Sequence, residues 1–215
     1  MAVDRSIGSI ARLRGLVLAG GASVRMGRDK GLIDYSGETA VSRAVRLLGE
    51  VCGETLVSLR TDQTAEPGYR PYRHVIDTKA GIGPMAGLLA AWERHPGSAW
   101  FVLAVDMPGV DSGLVGELLT ARDPARVGTA FLGSGGVTEP LFAIWEPSAR
   151  PLLLDHERAN RFSLRRILDD YGARIVTTSD SLKLRSVNAP AELDVTSEQR
   201  AGIGSPATPR SPDGR

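Results

Sequence analysis

Continuous apolar runs of strand length recur at Gly15–Ala19, Thr55–Leu59, His74–Ile76, Trp100–Val105, Val127–Leu132 and Leu141–Trp145. Runs of this kind, without alternation between apolar and polar positions, mark strands covered on both faces. Between many of them the apolar residues fall at helical spacing. Ala40, Val41, Ala44, Val45, Leu47 and Leu48 form one stripe, Met85, Leu88, Leu89 and Trp92 a second, and Leu114, Val115, Leu118 and Leu119 a third. Strands alternating with helices predict an α/β fold of three α/β/α layers, a mostly parallel sheet with helices on both faces.

After Trp145 the pattern changes to two helices, Pro147–His156 and Ser163–Tyr171, each opened by a residue that suits a helix start. They are expected either to cap the sheet or to form part of a lid. From Ser197 to Arg215 the chain holds Ser, Pro, Gly and Arg with almost no large apolar residue. Nothing there offsets the entropy of ordering, and 197–215 reads as a disordered tail.

Composition narrows the function classes. The length of 215 residues suits one domain with a sizeable core. Lys and Arg number 26 against 25 Asp and Glu, and a net charge of +1 gives no electrostatic case for nucleic acid or an anionic membrane. A single cysteine, Cys52, cannot form an internal disulfide. Met1–Arg14 lacks the apolar run of a signal peptide, and no stretch approaches the roughly 18 apolar residues of a membrane span. The expectation is a soluble, cytoplasmic protein. His74, His95 and His156 do not fall at metal-ligand spacing and read as structural or exposed.

Candidate chemistry gathers where the first strand ends. Gly15–Ala19 runs into Gly20-Gly21-Ala22-Ser23-Val24-Arg25-Met26-Gly27-Arg28-Asp29-Lys30. Small residues leave backbone N–H groups open to phosphate oxygens, and Arg25, Arg28 and Lys30 put positive charge on the same loop. The spacing is neither that of a P-loop nor that of the dinucleotide fingerprint. Taken alone, Gly20-Gly21 suits an ordinary Gly-rich turn equally well. Asp106 follows the apolar run Trp100–Val105, which places its carboxylate at a strand's C-terminal end, where open α/β sheets bind ligands. A hard cation such as magnesium favours a carboxylate there; by itself the same residue also suits a turn before Pro108. Gly81, Gly83 and Gly87 surround Pro84 at the start of the second helical stripe, which presents a helix N-terminus to the same side.

The segment LAGGASVRMGRDKGLI, Leu18–Ile33, resembles the signature loop of the nucleoside-diphosphate-sugar-type nucleotidyltransferases, and most closely that of the molybdenum cofactor guanylyltransferases. Asp77 with Gly81-Ile82-Gly83-Pro84-Met85-Ala86-Gly87-Leu88 is similar to that family's second nucleotide-contacting segment, and Leu103–Pro108 (LAVDMP) to its metal-binding strand end. Glu139-Pro140-Leu141 and Val187-Asn188-Ala189-Pro190 match later positions, so the resemblance runs from Leu16 to Asp194. It departs at Ser58, where these enzymes carry a nucleotide-contacting Asn, and at Ser186, which replaces the first Asn of an N-x-N-x-P pattern. Arg60 lies near enough to reach the crevice, although a surface position is the commoner outcome for an Arg.

The resemblance implies a Rossmann-like nucleotidyltransferase domain over 12–196 and magnesium-dependent transfer of GMP from GTP to molybdenum-molybdopterin, with release of pyrophosphate. It assigns catalysis to Arg25, Lys30 and Asp106, with Asp106 as the metal ligand. Nucleotide contacts fall to Leu18, Ala19, Gly20, Gly21, Lys30, Ser58, Asp77, Gly83 and Asp106, and the acceptor side to Glu139 and Asn188. GTP and the molybdopterin cofactor are the expected partners, with molybdoenzymes or their chaperones beyond them. A cytidylyltransferase for the same cofactor, or an enzyme with another phosphorylated acceptor, uses the same chemistry. Gly20-Gly21 favours the guanylyl form, and the short chain leaves little room for a large sugar domain. A non-catalytic nucleotide-binding partner of molybdoenzymes is the reading from another class, and Lys30 and Asp106 argue against it.

Overall fold

The computed structural model describes residues 10–20, 29–35, 37–77 and 79–187. Their elements run β1 (Leu13–Leu18), the short hairpin β2 (Asp34–Tyr35) and β3 (Glu38–Thr39), α1 (Ala40–Gly49), β4 (Thr55–Arg60), β5 (His74–Asp77), α2 (Pro84–Arg94) and β6 (Ala99–Ala104). They continue with α3 (Ser112–Thr120), β7 (Gly128–Leu132), β8 (Thr138–Trp145), α4 (Ala149–Arg158), α5 (Leu164–Asp170) and β9 (Arg174–Val176).

The main sheet has the order β5-β4-β1-β6-β8-β7-β9. Strands β5, β4, β1 and β6 are mutually parallel, as are β7 and β9, while β8 runs against both of its neighbours. Helix α1 packs with α3, and α2 with α4, which in turn meets α5, so each face of the sheet carries a helical layer. Every residue of β6 is buried, which is why its sequence reads as one apolar run. Phe142 on β8 stacks between Phe101 and Phe131 at ring separations of 5.6 and 5.9 Å. Phe142→Ala would therefore cost about 3–5 kcal/mol.

The helices start where side chains satisfy their first N–H groups. Thr39 accepts from Ser42 N, Asp111 from Leu114 N and Ser163 from Arg166 N. Pro147 does not open α4; that helix begins at Ala149 after Ser148. The two late helices cap the sheet, with α5 against β8.

Two features were not expected from the sequence. Strand β8 starts at Thr138, three residues before the apolar run, and includes Pro140. The ladder with β7 jumps there from Ala130–Ala143 to Leu132–Thr138, so a residue without an N–H is tolerated. Strand β9 was not read because it is short and partly exposed.

The chain leaves β1 for β4 and β5 on one side and returns to β6 on the other. Such a reversal opens a crevice beyond the C-terminal ends of the strands.

Candidate active site

A crevice of about 1010 Å³ lies at that switch point, lined by Leu18, Ala19 and Gly20 from β1, Ser58 and Arg60 from β4, Asp77 from β5 and Val105 and Asp106 after β6. Strand ends that are far apart in sequence thus converge on one volume, large enough for a nucleotide-sized ligand.

Asp106 occupies the centre of the floor. Its Oδ1 is buried without a hydrogen-bond partner, and its Oδ2 lies 3.8 Å from the Lys30 Nζ, an ion pair longer than a hydrogen bond. Burial pushes its pKa up, against the pull of Lys30, a backbone N–H and the Ser186 hydroxyl. The Val187 N–H donates to the Asp106 carbonyl at 2.7 Å, which draws the 185–187 segment along the crevice. Glu139, on the neighbouring strand β8, is near enough for the Asp106 charge to act on it. Glu139 is also pushed up by burial, with the Asp106 charge adding to the shift, and it accepts from Leu141 N at 2.8 Å.

Among the described residues no group of three or more His, Cys, Asp or Glu side chains could hold a metal unaided. The residues present still fit a hard divalent cation. An unpartnered buried carboxylate oxygen with a second carboxylate near it is the kind of donor set that such an ion completes with substrate phosphates and water.

At the other side of the crevice, Ser58 donates to Asp77 Oδ1 at 2.5 Å. Gly83 caps α2 at φ 62°, a conformation that L side chains rarely adopt, and Pro84 takes the first helical position. Gly83 and Pro84 both line the crevice, so this end of α2 offers positive dipole to an anion.

Of the sequence candidates, Leu18, Ala19, Gly20, Lys30, Ser58, Asp77, Gly83 and Asp106 all line the crevice, and Glu139 lies within reach of the Asp106 charge. Gly21, Arg25, Asn188 and the 197–215 segment lie outside the described residues. Arg60 takes the less common of its two expected positions. It lines the crevice, holding the Gly20 carbonyl at 3.2 Å while its other guanidinium nitrogens bind Asp62. The sequence also passed over Gln63 and Tyr69, which both donate to the Asp29 carboxylate. Their partners lie 34 and 40 residues apart, and no local spacing signals such a contact.

The family model of the MobA-like NTP transferase domain matches residues 15–176, the stretch that carries this crevice. The chain belongs to this family. As a MobA-like NTP transferase it is a nucleotidyltransferase. It is 33% identical over 186 residues to a molybdenum cofactor guanylyltransferase of Pseudomonas putida, covering 83% of this chain and 94% of that protein. It is 28% identical over 181 residues to a molybdenum cofactor biosynthesis bifunctional protein of Synechocystis sp.. There the match covers 84% of this chain but spans only 52% of the relative's length. Its fold is shared with molybdopterin-guanine dinucleotide biosynthesis protein A from Archaeoglobus fulgidus at a TM-score of 0.69 and 20% identity, covering 88% of this chain and 100% of that one.

Proposed function

We propose that this MobA-like NTP transferase moves GMP from GTP onto the terminal phosphate of molybdenum-molybdopterin. An acceptor phosphate oxygen attacks the α-phosphorus, a new P–O–P bond forms, the α–β bond breaks, and pyrophosphate leaves. Such transfer needs positioning and charge stabilisation more than covalent help. The observation that carries the reading is the Lys30–Asp106 pair at the switch point, with Asp106 Oδ1 left unpartnered.

Each residue then has a task in the transfer. Lys30, the amides of Ala19 and Gly20, and Arg25 from the same loop bind the triphosphate and stabilise the departing pyrophosphate. Asp77 and Ser58 hold the nucleoside, and the N-terminus of α2 at Gly83 adds positive dipole. Asp106 would hold magnesium, with the negative charge of Glu139 near it. When bound, the ion supplies Lewis-acid charge between the triphosphate and the acceptor phosphate. Glu139 and Asn188 take the acceptor side.

The catalytic unit is placed at residues 12–196, since the named crevice residues fall within that span. Truncation after Thr196 should leave turnover unchanged. Among the described residues no helix is long and apolar enough to cross a membrane, in keeping with an enzyme of the cytoplasm that hands its product to molybdoenzymes or their chaperones. Pyrophosphate release tests the reading, measured with magnesium and GTP, with and without the molybdopterin acceptor, and beside CTP. Acceptor-dependent release from GTP is expected. Release from CTP alone would reassign the base, and nucleotide binding without release would leave a non-catalytic module.

A further inference from the structure

Gln63 lies in the short 3-10 turn Thr61–Ala65 after β4 and is 3% exposed. Its amide nitrogen carries two hydrogens and has two acceptors, the Ala19 carbonyl at 3.0 Å and Asp29 Oδ2 at 2.5 Å. Its oxygen accepts from the Arg60 N–H at 2.9 Å. Ala19 and Asp29 flank the Gly-rich loop on either side. One buried side chain therefore ties both stems of that loop to each other and to the end of β4.

The tie continues to the reacting groups. The Asp29 Oδ1 accepts from the Gly31 N–H at 3.0 Å and from the Tyr69 hydroxyl at 2.6 Å. Tyr69 is 1% exposed, and its hydroxyl rests where any Cβ on Gly31 would stand. Lys30 sits between these two anchored residues, and its amine reaches Asp106. Its backbone is held on both sides, so the direction in which the amine leaves the loop follows from the Gln63 and Tyr69 contacts.

We infer that Gln63 is a positioning residue for nucleotidyl transfer: by clamping Ala19 to Asp29 it sets the width of the phosphate loop and the placement of Lys30. The inference rests on the reading of this crevice as a nucleotidyltransferase site. A glutamine that only filled space would be replaceable by a side chain of the same shape. This one donates both hydrogens to loop stems, and their loss would leave a buried carbonyl and a carboxylate oxygen without donors.

Gln63→Glu tests the clamp. It keeps the size and an oxygen for the Arg60 N–H, but turns an oxygen toward the Ala19 carbonyl and the Asp29 carboxylate. Thermal melting separates misfolding from mispositioning, and calorimetric titration with GTP and with guanosine separates phosphate contacts from base contacts. The clamp predicts about a tenfold or larger loss in GTP affinity and in kcat, as expected when catalytic groups shift by about 1 Å, with guanosine affinity unchanged. Adding Asp29→Asn returns a donor between the two positions, while the Asn oxygen still accepts from Gly31 and Tyr69. Part of the loss should then be recovered. Wild-type affinities in Gln63→Glu, equal losses for GTP and guanosine, or a double variant no better than the single one would each overturn the inference. A wild type that binds GTP without releasing pyrophosphate would instead overturn the catalytic reading, and the binding comparison would still decide the clamp.

Discussion

The Ser58 hydroxyl donates to Asp77 Oδ1 at 2.5 Å, so the carboxylate that ends β5 is held by the end of β4. Its second oxygen faces β1, where a Cβ on Gly20 would come within 2.5 Å of Oδ2. Burial pushes Asp77 above the ordinary carboxylate range, and Ser58 and Arg60 pull it back. Three neighbouring strand ends are thus fitted around one carboxylate. Ser58 suits this arrangement because its hydroxyl is short enough to lie against Gly87.

Gly20→Ala should therefore act through Asp77. The added methyl cannot coexist with Oδ2 where it stands, so the carboxylate must turn away from Ser58, with the loss of a hydrogen bond to a charged group worth about 1.5–3 kcal/mol. The expected outcome is a KM for GTP raised by about 10- to 100-fold, the scale on which a displaced contact group weakens binding, with a melting temperature lowered by several degrees by the lost hydrogen bond. An unaltered KM would mean that Asp77 does not contact the nucleotide.

The sequence made the framework legible and the wiring behind it illegible, for a physical reason. Strand β6 announced itself because burial on both faces demands an unbroken apolar run. Asp106, Asp77 and Gly83 stood out through the family resemblance, since a strand end or helix start by itself suits an ordinary turn as well as a ligand group. Gln63 and Tyr69 did not, since their bonds join residues 34 to 44 apart. Arg60 was left between crevice and surface because nothing in SLR distinguishes a guanidinium over a crevice from one in water. β9 is three residues long with none of them buried, too short to show the unbroken apolar run of a covered strand.

Cys52 closes the turn after α1 and is buried, and burial pushes its thiol from 9.0 up to about 12. Thiolate is the reactive form, so at pH 8 the folded protein should hold about a thousandfold less of it than an ordinary cysteine would. Alkylation by iodoacetamide at pH 8, followed by mass spectrometry, should leave Cys52 unmodified in the native state and label it in denaturant. Rapid labelling of the native protein would show that the thiol is not enclosed.

A second titrating group lies at the same end of the sheet, away from the crevice. His95 Nε2 is 3.2 Å from Glu54 Oε2, and Arg14 and Arg73 also bind Glu54. The Glu54 charge favours a protonated ring, but burial and the Arg14 charge outweigh it, and His95 is held below its usual 6.5. A lowered histidine resists in the folded state a proton that the unfolded chain accepts, so its contribution is lost as pH falls through 6.5. The melting temperature of wild type minus that of His95→Gln should shrink between pH 7.5 and 5.5. A difference that grows on acidification would show that the Glu54 attraction wins.

The most exacting prediction concerns Asp106→Asn. The change keeps the shape and leaves an oxygen for the Oδ1 position, but removes the negative charge that a hard cation requires. Asp106 carries a desolvation cost, visible in its raised pKa, so the neutral amide should not destabilise the fold and should stabilise it slightly. Lys30 would lose its ion pair with Asp106 at 3.8 Å but keep its positive charge for phosphate, and GTP should still bind. Turnover should nonetheless fall by about 100-fold or more, the scale on which a lost charge-stabilising group reduces kcat. Without that carboxylate, nothing positions the counter-charge that lets two phosphates approach, and Lys30 screens only part of their repulsion. A magnesium titration of pyrophosphate release for wild type and Asp106→Asn decides the matter. The variant should need far more magnesium and still reach a lower plateau, whereas a near-normal rate at ordinary magnesium would remove Asp106 from the chemistry.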